Sequence, residues 1–132
     1  MQMIKTYVIT FLVFMSIDLV WLGFVAKKLY RSQIGFIMKT HVNWVAAILF
    51  YLLYIVGLLV FALNPALEKN SWQHALFLGM FFGLITYATY DLTNLATLKD
   101  WPLAITIIDL AWGTTLGGLT TLLSYLIVKR IS

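Results

Sequence analysis

The sequence predicts an all-α membrane protein, a four-transmembrane-helix bundle with both termini on the same side of the bilayer. Three observations carry that expectation. Of 132 residues, 62% are hydrophobic and only 11% charged, whereas a soluble domain keeps about a quarter of its residues charged. The apolar residues gather into four runs, each long enough at about 1.5 Å per residue to cross a roughly 30 Å hydrocarbon core. The breaks between the runs hold most of the charge. The runs use so much of the length that residues 1–132 are expected to form a single transmembrane domain.

Helix one is expected over about 4–26, interrupted by Ser16 and Asp18 and stopped by Lys27, Lys28 and Arg31. Its apolar run exceeds a signal-peptide core of roughly 7–15 residues, and no small-residue cleavage site follows, so it reads as an uncleaved helix. The connection 27–41 mixes basic residues with Leu29, Tyr30, Ile34, Phe36, Ile37 and Met38. That pattern suits a segment in the headgroup region, and juxtamembrane anchoring explains the charges equally well. Helix two is expected over 43–64, capped by Thr40 or Asn43 and ended by Asn64-Pro65, since proline disfavours helix at the residue before it. Helix three follows over 71–98, with Trp72 and His74 at interface depth. Asp100 is the expected N-cap of helix four, 102–128, with Pro102 in its first turn and Lys129 and Arg130 at its end.

Lys5, Lys69, Lys129 and Arg130 then share the terminal face, against Lys27, Lys28, Arg31, Lys39 and Lys99 on the other. The more basic C-terminal flank of helix one favours a cytoplasmic location for the two odd loops. A net charge of +4 and a pI near 9.4 do not indicate nucleic acid here, because the basic residues sit at the ends of apolar runs, where they anchor helices. The absence of cysteine removes disulfides, thiolate metal sites and cysteine nucleophiles. No cofactor and no metal are expected, since His41 and His74 fall near opposite faces. Trp44, Trp72 and Trp101 sit at span ends as interface anchors.

The last two runs mirror each other. Gly79, Gly83, Tyr87 and Asp91 recur every fourth residue, and so do Asp109, Gly113, Gly117 and Thr121, with Asp100 at the centre of the turn. Four-residue spacing puts each set on one helix face. The glycine pairs Gly79 with Gly83, and Gly113 with Gly117, are expected to be packing surfaces between close helices.

Asp18, Asp91 and Asp109 are the only carboxylates inside the spans, each eight or nine residues from a charge on the odd-loop side. By helical rise all three fall roughly 12–14 Å below that surface. An acid at helix centre costs on the order of 2.5–3.5 kcal/mol and needs a partner, water or a proton. Carboxylates sharing a site cannot all ionise, so at least one is expected to be protonated and to donate a hydrogen bond. No Lys or Arg lies at that depth. The candidate neutral partners are Ser16, Trp21, Tyr51, Tyr54, Tyr87, Tyr90, Thr93, Asn94 and Trp112. The pairs Asp18–Trp21 and Asp109–Trp112 share the same spacing of three, but on helices running oppositely. Trp21 is therefore expected toward the odd-loop surface and Trp112 toward the bilayer centre.

The runs Asp18-Leu-Val-Trp-Leu-Gly23, Tyr90-Asp-Leu-Thr-Asn94 with the following Ala-Thr-Leu-Lys-Asp-Trp-Pro102, and Asp109-Leu-Ala-Trp-Gly113 resemble the small bacterial membrane proteins catalogued as domain of unknown function 2177. The resemblance covers essentially the whole chain. It implies a multi-pass protein of the bacterial inner membrane and supplies no activity.

Three functions stay open on these residues. The first is proton or cation handling, or small-ligand transport, with Asp91 and Asp109 binding, Asp18 completing the site and Trp21, Tyr87, Tyr90, Asn94 and Trp112 shaping it. Transport by four short helices is expected to need a homo-oligomer, through Gly57 or the glycine faces. The second is a membrane enzyme or accessory factor acting on a lipid or small apolar ligand by acid–base chemistry, with catalytic residues unassigned. The third is an interaction or assembly subunit without chemistry. The expected partner of the chain in each case is the lipid bilayer.

Overall fold

Long apolar runs in lipid must satisfy their backbone internally, and a helix does so within one segment. The computed structural model describes residues 2–38 and 43–131. Lys39, Thr40 and His41 lie outside the described residues. Four helices are long and apolar enough to cross a membrane: Met3–Phe24, Trp44–Lys69, Trp72–Thr97 and Leu103–Ile131. There is no strand among the described residues.

The first helix does not stop at its basic residues. α1 (Gln2–Trp21) passes through a π turn, Leu22–Ala26, into α2 (Lys27–Ile34) and a 3-10 turn, Gly35–Ile37. Charge on an exposed face does not break a helix, because long side chains can reach out of the apolar layer. On the inner face Ala26, Tyr30 and Ile34 continue at four-residue spacing, and Ala26 and Ile34 are buried.

The second helix likewise runs past Asn64-Pro65. α3 (Trp44–Leu58) enters a π turn, Leu59–Leu63, and continues as α4 (Asn64–Lys69), with Pro65 in the first turn of α4. In the wide turn the Asn64 N–H donates to the Leu59 carbonyl, five residues back. That widening relieves the clash a proline ring makes with the preceding turn. Asn70, left-handed with φ 54°, closes α4.

α5 (Trp72–Thr97) and α6 (Leu103–Ile131) form the hairpin. Asn43 accepts the Ala46 N–H and Ser71 the His74 N–H, each at 3.2 Å, as N-caps of α3 and α5. Asp100 does not take the cap position. It adopts φ 63° in the turn, and the Pro102 carbonyl accepts the Thr106 N–H at 3.4 Å.

Between α5 and α6 the backbones meet. A Cβ at Gly83 would strike the Gly113 carbonyl, one at Gly79 the Gly117 carbonyl and Thr121, and one at Gly113 the Tyr87 ring. Gly57 faces the Phe82 ring. The glycines considered for contact between copies are thus turned into their own chain. α1 packs against α6, and Phe14, Tyr54, Ile55, Leu58, Leu63 and Leu116 fill the centre. Trp101 is not an interface anchor: it is buried, clusters with Ile34 and Ile105, and donates from Nε1 to Thr106 Oγ1 at 3.1 Å. The continuation of helix one brings Ile34 over the α5–α6 turn and covers it. Trp44 and Trp72 remain exposed. Outward-facing Phe24, Leu53, Phe61 and Phe77 give the bundle an apolar exterior suited to lipid.

Candidate functional site

Two of the three acids carried by the candidate spans meet at one cavity. Asp18 on α1 is 6% exposed and Asp109 on α6 is 4% exposed. Both line a space of about 270 Å³ walled by Trp21, Trp112, Tyr87 and Tyr90. No Lys, Arg or His lines it.

The two tryptophans set the geometry. Their rings stack with centroids 4.3 Å apart and planes within 9°. They therefore lie at one level, not at the separate depths the spacing suggests. Stacking two large flat rings outweighs a match of carboxyl depths, which by itself brings no attraction. Each Asp is three residues before its Trp, on helices that run oppositely. The two Asp backbones thus sit on either side of the stack, about 9 Å apart along the helix axes.

A tyrosine holds each carboxyl. The Tyr51 hydroxyl donates to Asp18 Oδ2 at 3.4 Å, a long bond. The Tyr30 hydroxyl donates to Asp109 Oδ1. The remaining oxygens, Asp18 Oδ1 and Asp109 Oδ2, have no hydrogen-bond partner among the described residues.

Two further spaces adjoin the cavity. One, of about 450 Å³, carries Lys27 and Arg31 and shares Leu22, Tyr30, Ile34 and Tyr90 with it. The other, of about 310 Å³, is bounded by Phe50, Thr86, Tyr87 and Tyr90 and is almost wholly apolar. A separate apolar groove of about 370 Å³ between the start of α1 and the α3–α4 helix has no charged residue in its lining.

Asp91 stands apart. It is fully buried on the face of α5 that carries Gly79 and Gly83, outside the cavity lining, and neither carboxyl oxygen has a hydrogen-bond partner. Asn94, one turn beyond Tyr90, does not line the cavity either. Ser16 donates to the Leu12 carbonyl at 2.8 Å. Tyr54 Oη is buried without a partner.

Tyr30, Lys27 and Arg31 are absent from the sequence-derived site, because that reading ends helix one at Lys27. The spacing Ala26–Tyr30–Ile34 is the signal that could have placed Tyr30 on the inner face.

Chemically the cavity is acidic and aromatic. Ring faces carry negative electrostatic potential and attract cations, and the two carboxyls add formal charge when ionised.

The family described as predicted membrane protein, domain of unknown function 2177, matches residues 3–126. No curated protein and no solved structure matches the chain. The chain belongs to that membrane-protein family.

Proposed function

We propose that this member of the domain of unknown function 2177 family binds a small cation inside the membrane, in the cavity between Asp18 and Asp109. One observation supports the reading above all. Two carboxyl side chains, each at least nine-tenths buried, turn toward one aromatic-walled space that no basic residue enters. Intramembrane acids facing a bundle interior commonly mark ion or ligand sites. Of the functions drawn from the sequence, cation handling is the one this cavity favours. Tyr30 and Tyr51 orient the carboxyls, and the stacked Trp21 and Trp112 supply a wall. Asp91 takes no part in binding. In this reading the chain spans a bacterial inner membrane with its termini on one face and the Lys27–Arg31 end toward the cytoplasm.

Trp21 and Trp112 make their own reporter. Tetramethylammonium, titrated into the protein in maltoside micelles, should change tryptophan fluorescence saturably. Asp18→Asn and Asp109→Asn should each weaken the response about tenfold, near 1.4 kcal/mol. Asp91→Asn should leave it unchanged. Equal binding by all three variants, or no saturable response in the wild type, would refute the reading.

A further inference from the structure

Resting on the cation reading above, we infer that the cation is the ammonium of a zwitterionic phospholipid headgroup, whose phosphate lies on Lys27 and Arg31. The two charges of opposite sign that such a headgroup carries have two adjoining spaces to match. The Asp18–Asp109 cavity holds two carboxyls, and the groove beside it carries Lys27 and Arg31. Four wall residues belong to both spaces, so the two adjoin. Tyr30 is one of the four, and its hydroxyl holds Asp109.

Lys27 and Arg31 are four residues apart on α2 and so project from one helix face. Neither side chain has an ion-pair partner among the described residues. Arg suits phosphate by its forked donors and Lys by its compact charge. A phosphate bound there and an ammonium two carbons away would reach from groove to cavity across the Tyr30 ring.

Size and position point to a lipid over a soluble zwitterion. At about 270 Å³ the cavity lies below the usual range for sites that swallow a whole drug-sized ligand, roughly 300–1,000 Å³. It suits a headgroup tip. The groove that adjoins the cavity is bordered by exposed Leu22 and Met38, at the end of the span Met3–Phe24. Headgroups lie at that level, and acyl chains would stay against the apolar exterior. Phosphatidylcholine and phosphatidylethanolamine share the chemistry required, as does free phosphocholine.

The test uses the full chain in maltoside micelles, with tryptophan fluorescence read against choline, phosphocholine, dihexanoylphosphatidylcholine and dihexanoylphosphatidylglycerol. The phosphatidylcholine should bind at least tenfold more tightly than choline or free phosphocholine, and the phosphatidylglycerol should bind no better than choline. Lys27→Gln with Arg31→Gln should erase the advantage of the lipid while leaving choline affinity unchanged. Both side chains are exposed, and an unchanged circular-dichroism melt would establish that the variant is folded. Equal affinity for choline and the lipid, or a silent double variant, overturns the phosphate site and leaves the cation reading standing. Free phosphocholine binding as tightly as the lipid overturns the lipid assignment. Tight phosphatidylglycerol binding overturns ammonium recognition. No response to choline or to the phosphatidylcholine would remove the cation reading as well.

Discussion

Tyr30 and Tyr51 do the same job at unequal strength, and the difference is measurable. The Tyr30 hydroxyl is committed to Asp109, whereas the Tyr51 bond to Asp18 is stretched to 3.4 Å. Hydrogen bonds to charged groups contribute about 1.5–3 kcal/mol and weaken with length. Tyr30→Phe should therefore destabilise the protein by about that much, and Tyr51→Phe by well under 1 kcal/mol. Resistance to unfolding by sodium dodecyl sulfate would compare them, and equal losses would contradict the assignment. Asp91 presents the opposite case. A buried carboxyl without partners is a cost to the fold, of order 1–3 kcal/mol. Asp91→Ala removes that cost and leaves a small gap, so it should be neutral or stabilising in the same assay. A marked loss would mean that Asp91 carries structural weight this arrangement does not assign it.

At the scale of elements, the glycine seam and the first π turn set the site. Gly83 admits no side chain because the Gly113 carbonyl occupies the place of its Cβ. Gly83→Leu should force α5 and α6 apart and cost more than the roughly 1–3 kcal/mol of ordinary overpacking. Gly23, with nothing within 4 Å of a Cβ, should accept alanine within about 0.5 kcal/mol. The π turn Leu22–Ala26 holds one residue more than an α turn, which fixes the rotation of α2. Deleting Phe24, which points outward at 86% exposure, should close the wide turn to a plain α turn and leave α2 facing as before. Tyr30 should then keep Asp109, and the variant should hold wild-type stability to within about 1 kcal/mol. A loss as large as that of Tyr30→Phe would show that the wide turn itself positions Tyr30.

For the whole molecule, the four spans are legible in the sequence because hydropathy alone dictates them in lipid. The glycine and tyrosine pairing of the hairpin is legible too, since its mirrored spacing becomes contacts such as Gly79 with Thr121 and Tyr87 with Gly113. Helix ends are harder to read. Lys27 and Pro65 look like stops, and each is passed, one by exposing its charge and one by a widened turn. Which acids share a cavity depends on how α1 slides against α6, and the Trp21–Trp112 stack sets that register. Two tryptophans in separate runs do not announce that they touch. Cation binding at such a site requires ionised carboxylates, so affinity should rise with pH until Asp18 and Asp109 are both deprotonated, and fall as acid protonates them. A pH-independent affinity would speak against carboxylate recognition. The most direct measurement is crystallographic. Tetramethylarsonium, an ammonium mimic with an anomalous scatterer, should give one arsenic peak between Asp18 and Asp109 beside the stacked tryptophans. A cavity without that peak at saturating concentration, or a peak beside Asp91 instead, would contradict the account.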